Sequence, residues 1–103
     1  MVQYKVTFLA GAYDDILESY EWGVSNWGEE LAQKWLEDLY DTVYGVLEIS
    51  PLGCPIAPDN EKWDFEVRML VFLRYRILFT VLRDQGEVVV VRISGPYTGR
   101  VAD

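Results

Sequence analysis

The sequence contains no histidine and only one cysteine, Cys54. Without histidine the chain can form neither a serine or cysteine triad that uses a histidine base nor a zinc site with a histidine ligand. A single cysteine excludes a disulfide bond within the chain and suits a reducing compartment. No apolar run is long enough to span a membrane, and the N-terminus lacks the basic and apolar segments of a signal peptide. We therefore expect a cytoplasmic protein.

Basic residues are scarce in the first half of the chain. Residues 1–50 contain ten acidic residues but only two lysines, whereas residues 51–103 contain seven acidic and seven basic residues, including all six arginines. The net charge of −8 argues against non-specific binding to nucleic acid, which requires a net basic surface. A local basic surface can still form in the second half. The length and the balanced composition predict a single globular domain over residues 1–103.

The first third of the chain changes from an alternating to a helical pattern. Residues 2–9 alternate apolar and polar side chains, which predicts a half-buried strand. From Ala12 onward the apolar residues recur at helical spacing, and acidic residues occupy the outer face. Asp14, Asp15 and Glu18 lie within one helical turn, and we interpret them as a solvated surface because no other candidate metal ligand accompanies them.

A second amphipathic helix follows the first. We expect the first helix to end at residues 23–26, where Asn26 and Glu29 have the spacing of a capping box. The second helix carries an apolar stripe of Leu31, Trp35, Leu39, Val43 and Val46. Two amphipathic helices joined by a short turn predict an antiparallel helical hairpin. A loop rich in proline and glycine then covers residues 50–60.

Three strands complete the predicted fold. Residues 63–71 and 74–81 alternate, residues 84–87 favour a hairpin turn, and residues 88–93 are almost all β-branched. The element order is β-α-α-β-β-β. Because the helices must bury their apolar stripes, the sequence predicts an α+β fold in which the helical hairpin packs on one face of a twisted antiparallel sheet.

Alternation along the strands predicts two different faces of this sheet. The face against the helices takes the apolar residues Phe65, Val67, Met69, Tyr75, Ile77, Phe79, Val81, Val89, Val91 and Ile93. The opposite, open face collects four arginines and two leucines: Arg68, Arg74, Arg76, Arg92, Leu70 and Leu78. Two interpretations follow. The arginines either pair with acidic neighbours such as Glu66 on a solvated face, or they form a site for phosphate or nucleic acid.

The order of elements and several sequence strings resemble the RelE/ParE superfamily of bacterial toxins, in particular its ParE-like, plasmid-stabilisation branch. The resemblance covers nearly the whole chain and includes YKVTFLAGA, YDDILESYEW, NWGEELAQKWLEDLYDTV, PLG, RYRILFTV and VVVVRI. It implies the toxin of a type II toxin–antitoxin module, which inhibits growth and is neutralised by a cognate antitoxin. It implies neither a cofactor nor a metal.

Members of this superfamily act in two ways. RelE-like toxins cleave mRNA on the ribosome without a metal, and ParE-like toxins inhibit DNA gyrase. On the nuclease interpretation Arg76 matches the arginine of the YR string and Arg68 a basic position on the preceding strand. Tyr97 and Arg100 match the C-terminal functional positions loosely. These four residues are the predicted catalytic candidates.

Departures from the nuclease pattern favour the ParE-like interpretation. Glu66 stands where RelE-like nucleases carry a basic residue, no histidine follows the last strand, and the net charge is −8. A non-toxic descendant that acts as a binding module is a third hypothesis. Leu70 and Leu78, exposed beside the arginines, suit a groove that an antitoxin fills. Both a homodimer and a toxin–antitoxin hetero-oligomer are consistent with the resemblance.

Overall fold

The computed structural model describes residues 3–95. The elements follow the predicted order: β1 (Lys5–Phe8), α1 (Ala10–Trp27), α2 (Glu29–Leu47), β2 (Arg68–Phe72), β3 (Tyr75–Leu82) and β4 (Glu87–Ser94). The predicted α+β class is confirmed, because the helical hairpin packs on a four-stranded sheet.

The strands lie in the order β1-β4-β3-β2. β2, β3 and β4 are antiparallel neighbours joined by short turns, and Gly86 adopts a left-handed conformation in the predicted turn before β4. β1 runs parallel to β4, with Lys5 opposite Glu87 and Phe8 opposite Val90. The prediction of a wholly antiparallel sheet is therefore wrong. The sheet is mixed, because the chain leaves β1 through the helices and the hairpin and returns beside β1 in the same direction.

The turn between the helices lies later than the capping-box pattern predicts. α1 continues to Trp27, and Gly28 makes the turn with a φ of 96°. Asn26 does not cap α2, since its side-chain nitrogen donates to the carbonyl of Trp22 at 2.8 Å. Gly23 is buried where the helices approach each other, and a Cβ atom there would lie 3.4 Å from the Cβ of Ala32. Gly23 thus permits close packing inside α1 and does not end the helix.

The main core lies between the helices and one face of the sheet. α2 buries Trp35, Leu39 and Val43 as its stripe predicts, whereas Leu31 of the same stripe is exposed. Of the apolar residues that recur along α1, Ile16 is buried as expected, and the other buried positions are small or polar: Ala12, Asp15, Ser19 and Gly23. Short side chains let α1 lie close to β4, which leaves Tyr13 and Leu17 half exposed. Neither helix is long and apolar enough to cross a membrane within residues 3–95.

The second face of the sheet has a smaller core of its own. Ala57, Val67, Leu78 and Val91 are buried together, and Trp63, Met69 and Val89 pack around them. The loop before β2 is held over this face by backbone hydrogen bonds, from Ala57 to Val67 at 2.8 Å and from Met69 to Pro55 at 2.9 Å. The face that the sequence predicts to be open is therefore covered in part by the chain itself.

Candidate functional site: the predicted arginine cluster

The predicted grouping of four arginines on one face is wrong. Residues directly opposite each other in an antiparallel pair share a face. Arg68 lies opposite Phe79, which belongs to the helix-side core, whereas Arg76 lies opposite Val71 on the other face. The cause is the two-residue turn at Leu73 and Arg74, which makes even-numbered residues of β2 face odd-numbered residues of β3.

The same change of register moves the apolar residues. Leu70 packs against the helix-side core, while Val67 and Met69 belong to the second core. In β4, a bulge opposite Leu78 and Phe79 puts Val88 and Val90 on the helix side and Val89 and Val91 on the other. Leu78 lies on the predicted face but is buried. The predicted exposure of Leu70 and Leu78 to a partner is therefore not observed.

Arg68 holds the loop that follows α2. Its guanidinium donates to the carbonyl of Cys54 at 2.7 Å and lies 3.3 Å from a carboxylate oxygen of Glu66. Burial raises the pKa of the Cys54 thiol, and the charge of Arg68 opposes that effect only in part. Cys54 is therefore a protonated, buried thiol at neutral pH. Arg68 has a structural role in this arrangement, since its Nη1 and Nη2 atoms contact groups within the chain.

Arg92 connects β4 to α1 through Asp15. Its Nε and Nη2 atoms donate to the two carboxylate oxygens of Asp15 at 2.8 Å and 3.0 Å, and the backbone N–H of Ile93 donates to the same carboxylate at 2.8 Å. The hydrogen bond with Asp15 raises the pKa of Arg92. Asp15 is completely buried, so its predicted position on the solvated face of α1 is wrong. Arg92 lies opposite Leu78, on the predicted face, but its guanidinium is bound by Asp15 and does not join Arg76.

Arg76 lies on the second face, and its guanidinium is partly exposed there. Its Nη1 atom is 3.7 Å from Oδ1 of Asp59 and 4.0 Å from the sulfur of Met69. Both Arg76 and Asp59 are partly exposed. The exposed side chain of Val71 lies opposite on β2. The surface around Arg76 is thus an apolar patch with one ion pair, and no sequence pattern predicted that Asp59 would lie there.

Arg74 lies at the tip of the β2–β3 turn, beside an apolar groove of about 450 Å³. The groove is lined by Trp27, Trp35, Leu73, Arg74 and Tyr75. Leu73 is 70% exposed and adopts a left-handed φ of 55°. Periodicity alone does not predict this groove, because α1, α2 and the turn meet only in the folded chain.

Tyr97 and Arg100 lie outside the described residues, so their predicted roles stay predictions. Within residues 3–95, no three His, Cys, Asp or Glu side chains are grouped so that they could hold a metal ion.

Comparison with known proteins identifies the fold. No family model matches the sequence, and no curated protein does. A chain of the chromosomal ParDE toxin–antitoxin system from P. aeruginosa matches with a TM-score of 0.71 and 21% identity, over 92% of this chain and 98% of that chain. A chain of the RelBE2 toxin–antitoxin complex from Mycobacterium tuberculosis matches with a TM-score of 0.66 and 20% identity, over 94% of this chain and 95% of that chain. The predicted RelE/ParE-like fold is therefore confirmed over nearly the full chain.

Proposed function

We propose that this protein is the toxin of a type II toxin–antitoxin module and that it arrests growth as ParE-like toxins do, by binding DNA gyrase. A cognate antitoxin would neutralise it. The gyrase mode is favoured over RNA cleavage because the arginines do not converge on one point. Arg68 and Arg92 make hydrogen bonds within the chain, and Arg76 lies beside Asp59. The likeness in fold to ParDE and RelBE2 chains supports the general class.

The electrostatics of the Arg76 surface argue against RNA cleavage. A metal-free nuclease stabilises the charge that develops on the phosphate with several cationic donors that converge on one point. Here a phosphate approaching Arg76 meets the carboxylate of Asp59, 3.7 Å from the guanidinium. The net charge of −8 also repels a polyanion over longer distances. These features are compatible with binding to a protein.

The exposed apolar residues at one end of the molecule favour a protein target. Leu73, Trp27 and Leu31 are exposed around the groove that Arg74 lines. Aromatic and large aliphatic side chains with an arginine at the edge are typical of protein–protein interfaces. The same surface is suited to an antitoxin segment or to the target.

Inducible expression in a bacterium tests this proposal. We expect growth arrest with a DNA-damage response, intact mRNA, and inhibition of supercoiling by purified gyrase. Arg76→Ala should arrest growth as the wild-type protein does, and so should the control Arg83→Ala, which changes an exposed arginine in a turn. Codon-phased mRNA cuts that disappear only in Arg76→Ala would replace the gyrase mode with RelE-like cleavage. Normal growth at high expression would refute toxicity itself.

A further inference from the structure

A groove of about 500 Å³ lies between the two helices. We call it the hairpin groove and define it by Tyr13, Asp14, Leu17, Tyr20, Leu36 and Tyr40. These residues of α1 belong to a different face from Asp15, which contacts β4. None of the residues that line the hairpin groove belongs to the surface around Arg76, so the two sites are separate.

The wall of the hairpin groove is built from packed aromatic rings. The ring of Phe8 lies 5.4 Å from that of Tyr13 and 5.6 Å from that of Tyr40, and Tyr40 stacks on Tyr44 at 6.3 Å. Contacts at these distances restrain the side chains, so the surface is formed before any partner arrives. Leu17, 54% exposed, adds an aliphatic contact at the outer edge.

The two helices that form this groove are strongly acidic, and Asp14 lines the groove itself. α1 and α2 contain nine carboxylates and one lysine, a net charge of −8 that equals the charge of the whole chain. Lys34 pairs with Asp38, and Arg92 pairs with Asp15. The other seven carboxylates are all exposed, and none has an ion-pair partner among residues 3–95: Asp14, Glu18, Glu21, Glu29, Glu30, Glu37 and Asp41. Such a concentration of like charge opposes folding through self-repulsion, and a basic partner would relieve it.

We propose that the hairpin groove binds a basic amphipathic helix of a partner protein. Apolar side chains of that helix would lie between Tyr13, Leu17 and Tyr40, and its lysines and arginines would meet the surrounding carboxylates and the tyrosine ring faces. Two antiparallel helices offer a trough into which a third helix packs by ridges and grooves. Like charge disfavours a second copy of this chain and nucleic acid as the occupant. The proposal holds whether or not the protein arrests growth.

Titration with a designed peptide tests the apolar part of the proposal. The probe is an 18-residue amphipathic helix of leucine and lysine, and the control peptide has the same composition in scrambled order. We expect the amphipathic peptide to bind the wild-type protein at physiological salt at least ten-fold more tightly than the scrambled one. Leu17→Ser should weaken binding about ten-fold. Ile49→Ser should leave it unchanged, because Ile49 is equally exposed, at 57%, but lies outside the groove.

Two double variants with the same change in net charge test the electrostatic part. Glu37 accepts a hydrogen bond from Gln33, which lines the groove, so Asp14→Lys with Glu37→Lys reverses charge at the groove. Glu61→Lys with Asp84→Lys makes the same total change at exposed sites elsewhere. We expect more than ten-fold weaker binding for the first pair and less than three-fold for the second. Circular dichroism verifies that every variant folds.

Three results would overturn the proposal. Equal binding of the scrambled peptide would show that only net charge matters, and so would equal losses in the two double variants. A homodimer in sedimentation that Leu17→Ser converts to monomer would assign the groove to a second copy of the chain instead.

Discussion

Replacing the buried carboxylate Asp15 provides the strongest test of how α1 is attached to the sheet. Asp15 is 0% exposed and accepts hydrogen bonds from two nitrogen atoms of Arg92 and from the backbone N–H of Ile93. Through this carboxylate α1 neutralises the charge of Arg92 and accepts a hydrogen bond from the backbone of β4 near the bulge. We expect Asp15→Ala to destabilise the protein strongly.

The magnitude follows from what the substitution leaves behind. A hydrogen bond to a charged group contributes about 1.5–3 kcal/mol, and a buried N–H without an acceptor costs about 1–3 kcal/mol. Because the Arg92 side chain is 40% exposed, water can hydrate its guanidinium, so the lower values apply to its two bonds. We expect the free energy of unfolding to fall by about 4–6 kcal/mol and the melting temperature by roughly 20–30 °C.

Guanidinium chloride unfolding followed by circular dichroism measures the effect in Asp15→Ala, Arg92→Ala and the double variant. The adjacent Asp14→Ala is the control and should change the free energy of unfolding by less than about 0.5 kcal/mol, since Asp14 is exposed. The double variant should be at least about 1.5 kcal/mol more stable than the sum of the single losses predicts. A loss below about 1 kcal/mol in Asp15→Ala, or strict additivity, would refute the reasoning.

Two further predictions concern the β2–β3 turn and the buried thiol. Leu73 has a left-handed φ of 55°, which is strained for a leucine, and its side chain is exposed. Leu73→Gly should therefore raise the free energy of unfolding by about 1 kcal/mol in the same assay. A decrease would show that the leucine side chain stabilises the turn. Burial raises the pKa of Cys54 above its ordinary value of 9.0, so its contribution to stability is complete below pH 9.0 and declines as the pH rises through the higher pKa of the folded state. Cys54→Ser should show a smaller alkaline decline than the wild-type protein, and equal declines would contradict the assignment.

The elements were largely predictable because their local signals agree with the fold. The stripe of Trp35, Leu39 and Val43 repeats at helical spacing and is buried in α2. The turn that ends at Gly86 and the β-branched run of β4 lie where the local pattern places them. α1 was less predictable, because Asp15 occupies a buried position that an acidic residue normally avoids unless it is paired. The partner that makes this burial favourable, Arg92, is 77 residues away in sequence.

The candidate site was less predictable than the elements. Alternation correctly separates the two faces within β3, where Tyr75, Ile77 and Phe79 are buried on the helix side. It does not relate one strand to the next, because that relation depends on the number of residues in the turn and on bulges. The two-residue turn at Leu73 placed Arg68 on the opposite face from Arg76.

The sequence alone determined the order of elements, the concentration of negative charge in the helices, and the α+β fold class that the structure confirms. These properties depend on composition and on the spacing of residues close together in the chain, and both can be read directly from the sequence. Only the tertiary structure decided that Arg92 joins Asp15, that Asp59 lies beside Arg76, and that the loop before β2 covers Leu78. Each of these contacts joins segments far apart in the chain. Their formation depends on strand register and on loop position, which are determined only when the whole core packs.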